Sequence, residues 1–485
     1  MALANLKRLF FSNSSTSQTI AKNTAWLFIG EIVGRLIRFW IVVYAARVLG
    51  AAEYGIFSYV LTLAAFATIF ADIGLSALLT RETSKAPELR QSYFNSMLTA
   101  KAGLILVVGL GIYLITPLIT NLTGAMALLP LVILMFIFDS LREFGFGMQR
   151  GLERMELEAI TKIIMNALIT GLGFAALWYQ QSAGSLVTGY VLGAGIGCLI
   201  TAWLLRRFIA RLKDGVNLKL IWPIFKMAWP LGVLQLLGAI MINTDMLILG
   251  WFRSPVELGY YGAAQKIILL LYVAPNLLAS AVFPVFSRLA RVNNERFRLL
   301  FEKVVACSEI LAIPLAVGSI VLAPQIIRLL FGAEYLPGTA TLALLMTTLV
   351  IVFPSTIFSN ALFAFNQQKK FMLYVAIGVV SNIILDIIFI PRWGIEGSAW
   401  ATIISQVLTN IFIWRAMYKT NPYNILKRIL RPLTAAILMG ALIYGLAVLG
   451  LPLLLIIALG AASYLALLYL LREPLLAEAR TLFRG

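Results

Sequence analysis

The chain has 485 residues, of which 61% are hydrophobic and 12% charged, with 39 Lys and Arg set against 21 Asp and Glu. A soluble protein of this length needs far more charge to cover its surface, so the composition points to a fold solvated by a bilayer. Histidine is absent and the two cysteines, Cys198 and Cys307, both sit in apolar blocks. That leaves no disulfide framework and no zinc spacing, and no metal or cofactor is expected.

In chain order, a polar segment (1–23) without a cleavage signal precedes the first apolar block, which is therefore expected to stay as an uncleaved span. Apolar blocks follow at about 24–49, 54–79, 93–117, 126–147, 159–179, 184–205, 222–250, 257–285, 303–323, 339–363, 371–391, 396–418, 431–450 and 452–471. Each is long enough, at about 1.5 Å per residue, to cross a hydrocarbon core of about 30 Å. The fold class expected is thus an all-α integral membrane protein of about fourteen transmembrane helices.

The connections alternate in charge. One set is basic, with Arg81, Lys85 and Arg90, then Arg150, Arg154 and Lys162, then Arg206, Arg207, Arg211, Lys213 and Lys219. It continues with Arg288, Arg291, Arg296, Arg298 and Lys303, then Lys369 and Lys370, then Lys419, Lys427, Arg428 and Arg431. The other set is short and holds only Arg253, Arg328 and Arg392. By the positive-inside rule both termini, including the tail 472–485, lie in the cytoplasm. The same placement accounts for most of the net charge of +18, so nucleic acid is not needed as a partner.

An internal echo gives the spans an organisation. Leu49-Gly50-Ala51-Ala52-Glu53-Tyr54-Gly55 closes the first span, and Leu249-Gly250, then Glu257-Leu258-Gly259, closes the seventh. Six spans separate the copies, so both start from the same side. The expected architecture is two pseudo-symmetric six-helix lobes, 24–205 and 222–418, followed by a helix pair at 431–471, with a central site between the lobes.

Ionisable residues inside a span cost at least about 2.5 kcal/mol each and need a reason. Glu31, Arg35 and Arg38, spaced by four and then three, share one face of the first helix. Glu31 can pair with Arg35, which leaves Arg38 as net positive charge; guanidinium forks match phosphate geometry. The plainer alternative is an intrahelical pair with Arg38 snorkelling to the interface. Lys101 lies near the middle of the third span and Lys266, beside Gln265, near the middle of the eighth. Each lysine needs an acidic partner, a wet cavity or an anionic ligand, and Asp72, Asp139 and Asp386 are the candidate partners. Asp245 is either an interface cap or a gate residue. Gln235, Asn276, Asn360 and Asn382 read as hydrogen-bonding glue between helices. Pro223, Pro230, Pro275 and Pro284 are expected to kink the seventh and eighth spans. No HExxH, GxSxG or glycine-rich phosphate loop is present, so an enzyme is not expected.

Four stretches together resemble the polysaccharide-exporter branch of the multidrug/oligosaccharidyl-lipid/polysaccharide superfamily. They are Ala46 to Phe57, Asp245 with Ile248-Leu249-Gly250 and Leu258-Gly259-Tyr260-Tyr261, Leu330 to Tyr335, and Ile390 to Thr402. The resemblance implies a V-shaped bundle of two lobes around a cationic cavity that flips polyprenyl-pyrophosphate-linked oligosaccharides. The substrate contacts it implies here are Arg35, Arg38, Lys101 and Lys266, with Glu31, Asp72, Asp139, Asp245 and Asp386 as charge partners or gates. Membrane lipids, a polysaccharide polymerase and other assembly proteins are the expected partners. Lipid II flippases, cation-coupled drug antiporters and a non-transporting scaffold of a glycan-assembly complex are the alternatives.

Overall fold

The computed structural model describes residues 16–212 and 221–475. Residues 1–15, Lys213 and Lys219 of the third basic loop, and the tail beyond 475 lie outside the described residues. Among the described residues the secondary structure is helical, with no strand. In order the α-helices of eight residues or more are α1 (Thr16–Phe70), α2 (Leu75–Lys85), α3 (Arg90–Ile119), α4 (Leu129–Gly151), α5 (Met155–Tyr179), α6 (Ala183–Leu204) and α7 (Ile221–Phe252). There follow α8 (Pro255–Leu271), α9 (Val273–Val292), α10 (Asn294–Val321), α11 (Ala323–Leu330), α12 (Thr339–Thr347), α13 (Leu349–Ala364), α14 (Gln368–Thr420), α15 (Leu426–Val448) and α16 (Leu453–Leu470).

Ten helices among the described residues are long and apolar enough to cross a bilayer, eleven if α1 and α2, bent by 44° at their junction, count as one span. The protein is a multi-pass membrane protein. Two of its longest helices are broken by glycine: Gly50 within α1 (φ 71°) and Gly394 within α14 (φ 61°) adopt backbone that a side chain disfavours. These are the positions where the sequence places tight turns between successive spans. Helix α4 carries Asp139, Arg142, Glu143 and Arg150 along a largely apolar run. Some helix starts are capped by side chains: Ser182 Oγ accepts from Ser185 N at 3.2 Å. Asn293 Oδ1 likewise accepts from Arg296 N at 2.9 Å.

The chain forms two compact units, Met1–Gly259 and Tyr260–Gly485. In the first, Leu78, Phe94, Met97, Phe144, Met148 and Ala228 form an apolar cluster that joins α2, α3, α4 and α7. The outer faces stay apolar and uncovered, as on α3, where Leu106, Leu110 and Leu118 are exposed. Lipid solvates such faces at no cost, so polar groups turn inward. In the second unit Phe286, Phe297, Phe301 and Phe358 centre one cluster. Ile313, Met439, Ile443, Ile456 and Tyr464 form another that seats α15 and α16 on α10. The Tyr464 hydroxyl fixes that seat by donating to the Ile310 carbonyl at 3.1 Å.

The echoed turns meet in space. A Cβ on Gly55 would lie 2.7 Å from Gly259 N, and one on Gly259 would lie 2.8 Å from the Ala51 carbonyl carbon. Only glycine lets these backbones come so close. Thr120 Oγ1 donates to the Gly250 carbonyl at 3.0 Å and ties α3 to the same corner. Two of the amides read as glue between helices behave otherwise. Asn276 Nδ2 donates to Tyr272 O at 2.7 Å and Asn360 Nδ2 to Thr356 O at 3.1 Å. Both bonds close within their own helix, because a carbonyl four residues back is always within reach of a short amide.

Candidate functional site

The charges of the first unit gather where α1 packs on α5. Two glycines set that approach: a Cβ on Gly30 would lie 2.8 Å from Ala159 Cα, and one on Gly34 would lie 2.7 Å from Asn166 Nδ2. The Thr170 hydroxyl adds a bond to the Ile37 carbonyl at 3.2 Å. Glu31 on α1, paired with Arg35 one turn on, therefore stands beside Lys162 on α5.

Arg35 Nε donates to Glu31 Oε1 at 2.6 Å, one helical turn away. The second oxygen of Glu31 faces Lys162 Nζ at 3.5 Å. Lys162 is held in turn by Glu158 Oε1 at 3.0 Å. Glu158 is fully buried and takes a two-pronged contact from Arg150, at 2.7 and 2.5 Å. Glu156, also buried, receives Lys22 at 3.3 Å and Arg154 at 3.4 Å. Three carboxylates thus serve five cations on this side of the unit.

Arg38 is different. It is half-buried and, among the described residues, makes no ion pair. Its guanidinium carbon lies 5.8 Å from the centroid of the Tyr190 ring, a cation–π contact that orients it without neutralising it. Its Nε is buried and has no acceptor among the described residues. A buried donor left unmet costs about 1–3 kcal/mol, so a ligand acceptor here would be stabilising.

Lys101 and Asp72 come together: Nζ lies 3.0 Å from Asp72 Oδ1, and the lysine has 0% exposure. Asp72 also accepts from Ser76 Oγ at 2.5 Å, at the bend between α1 and α2. The pair is a closed unit with its surface turned inward. Asp139 pairs instead with Arg142 of its own helix, which also reaches Glu143 at 3.3 Å. Arg142 and Lys162 lie on the Phe146 ring, each 5.6 Å from its centroid.

Asp245 is buried on α7. In the second unit Lys266 and Gln265 are half-buried on α8, and Asn382 and Asp386 are buried one turn apart on α14. Sequence reasoning passed over Glu309, which is 3% exposed on α10 with Oε2 lacking a hydrogen-bond partner among the described residues. It also read Arg150, Arg154 and Lys162 as loop charge and missed Glu156 and Glu158. The signal available was the Glu158–Lys162 spacing of four in the first turns of a span.

These features define a helical membrane protein with a partly buried ionic network across α1, α4 and α5 and one arginine outside it. The chain belongs to the family described as polysaccharide biosynthesis protein, which it matches over residues 20–290. Residues 230–388 also match the MatE family. The chain is 26% identical over 400 residues to the probable low-salt glycan biosynthesis flippase Agl15 of Haloferax volcanii, covering 81% of this chain and 82% of that one. It is 20% identical over 402 residues to the capsular polysaccharide biosynthesis protein CapF of Staphylococcus aureus, covering 81% and 98%. Its fold matches that of the lipid II flippase MurJ in an inward closed conformation, with a TM-score of 0.79 at 20% identity over 93% of this chain and 99% of that one.

Proposed function

We propose that the protein is a flippase that moves a polyprenyl-pyrophosphate-linked oligosaccharide from the cytoplasmic to the outer leaflet for surface polysaccharide assembly. It works by alternating access and without catalytic chemistry of its own. The observation that carries this reading is Arg38: a half-buried guanidinium, oriented by Tyr190 and supplied with no carboxylate. A pyrophosphate offers the acceptors that such a group lacks. The relatives named as a glycan flippase and a capsular polysaccharide protein support the glycan part of the proposal.

In this reading Arg35 is the second contact, released from Glu31 as phosphate takes its place while Lys162 keeps the glutamate balanced. Lys266 offers a cation from its own unit. Lys101, with its ammonium committed to Asp72, stands behind the site rather than at it. The protein lies in the cell's inner membrane with fourteen crossings, cytoplasmic termini, two lobes (24–205 and 222–418) and the added pair 431–471. A polysaccharide polymerase and other assembly proteins act beside it. An inside-negative potential favours outward movement of negative charge by about 2.3 kcal/mol per charge per 100 mV, so a two-charge headgroup gains roughly 4–5 kcal/mol over that span.

The test is a series at Arg38. Arg38→Ala should abolish export with the protein still abundant in the membrane, and lipid-linked glycan should accumulate on the cytoplasmic leaflet. Arg38→Lys should restore export only in part, because lysine keeps the charge and loses the fork. Full export by Arg38→Gln would leave only a snorkelling arginine. The lipid II alternative shares the pyrophosphate and differs in the glycan. A deletion strain that loses surface polymer and keeps its peptidoglycan separates the two. Hypersensitivity to cationic dyes with intact surface glycan would instead favour a drug antiporter, and purified protein that leaves the leaflet distribution of a lipid-linked sugar unchanged would favour a scaffold.

A further inference from the structure

The break in the middle of α14 carries a feature that glycan export does not use. At the Gly394 break, Phe389, Trp393, Glu396, Trp400 and Ile404 line a groove of about 500 Å³ within the second unit. Gly397 makes the corner tight, since a Cβ there would lie 2.5 Å from the Phe389 carbonyl oxygen. The Phe389 and Trp393 rings lean on each other with centroids 4.7 Å apart. Trp393 and Trp400 remain 56% and 44% exposed. Glu396, in the groove with these rings, and Arg392, next to Trp393, are both exposed, and neither forms an ion pair among the described residues. Each half of α14 also exposes an aliphatic strip, Ile384 and Ile388 before the break and Ile404 and Ile411 after it.

Tryptophans at a membrane interface ordinarily anchor a helix whatever the headgroup. A carboxylate set in a groove with two of them adds something specific: aromatic faces together with a negative charge are the chemistry that holds an organic ammonium. Arg392, one residue before Trp393 in the chain, supplies a cation for a phosphate, and the aliphatic strip matches acyl chains. We propose that this groove is a binding site for a zwitterionic aminophospholipid, with its ammonium on Glu396 and the tryptophans, its phosphate on Arg392 and its chains along the aliphatic strip. The outer-leaflet placement rests on the topology proposed above. The site itself is independent of what is flipped.

The test uses the full-length protein, purified and exposed to equimolar phosphatidylethanolamine and phosphatidylglycerol, with retained lipid counted by native mass spectrometry. Wild type should retain phosphatidylethanolamine in preference. Glu396→Gln should lower that preference about tenfold, the scale of one charge-assisted contact, and Trp400→Ala should weaken it similarly. Trp178→Ala, at a residue 90% exposed on the end of α5, should leave it unchanged. Equal retention of the two lipids by wild type, or an unaltered preference in Glu396→Gln, would overturn the proposal. So would displacement of the lipid by a soluble oligosaccharide, which would make the groove a sugar platform.

Discussion

The Lys101–Asp72 pair offers the most direct separation of scaffold from site. Lys101 has no exposed surface and its ammonium sits 3.0 Å from Asp72. Lys101→Met leaves a buried carboxylate with only uncharged donors of Ser76, its hydroxyl at 2.5 Å and its backbone N–H at 3.4 Å, to satisfy it. Asp72→Asn leaves a buried ammonium facing an amide. Removing one partner of a buried pair costs about 3–5 kcal/mol, whereas replacing both with neutral groups of similar size is often neutral or stabilising. Each single variant should therefore lower the midpoint of thermal unfolding in detergent by about 3–5 °C, at about 1 °C per kcal/mol for a chain of this length. The double variant Asp72→Asn/Lys101→Met should recover most of that loss, since methionine fills the lysine's volume and asparagine still bonds Ser76. It should also export glycan. Single variants that unfold with the wild type would refute the buried pair. A stable double variant that does not export would show that the ammonium itself is needed, which would return Lys101 to the substrate.

Gly259→Ala should be poorly tolerated, because its methyl group meets the Ala51 backbone and not a flexible side chain. A cost of about 1–3 kcal/mol is expected from overpacking, read as a lower unfolding midpoint, with a smaller effect at Gly238, which has open space around it. Once Cys198 and Cys307 are replaced, single cysteines at Gln181 and Ser254 should react with an impermeant thiol reagent on intact cells. Those at Arg296 and Lys370 should not. All four positions are exposed, so protection reports sidedness, and labelling of the second pair from outside would overturn the topology.

Much of this molecule follows from local rules. A run of twenty apolar residues has one solution in a bilayer, because only a helix pairs its own backbone. The Glu31–Arg35 contact was equally legible, since positions four apart on a helix always face each other. The breaks at Gly50 and Gly394 fall in the short gaps between expected spans, where a tight turn needs backbone that other residues resist. Beyond one or two helical turns the sequence stops deciding. It offered three carboxylates to Lys101, and only the packing of α3 against the α1–α2 bend selected Asp72 while Asp139 turned to Arg142 on its own helix. Arg150 and Lys162 read as loop charge until α1 and α5 closed across Gly30 and Gly34 and set Lys162 between Glu158 and Glu31. The setting of Arg38 is a tertiary fact of the same kind, since its guanidinium lies over the Tyr190 ring of another helix. The echo of Gly55 in Gly259 was visible as a repeat, yet that the two glycines touch was not. Spacing along a helix is fixed by its geometry, whereas a partner on another helix is chosen by which faces the whole bundle can bury together.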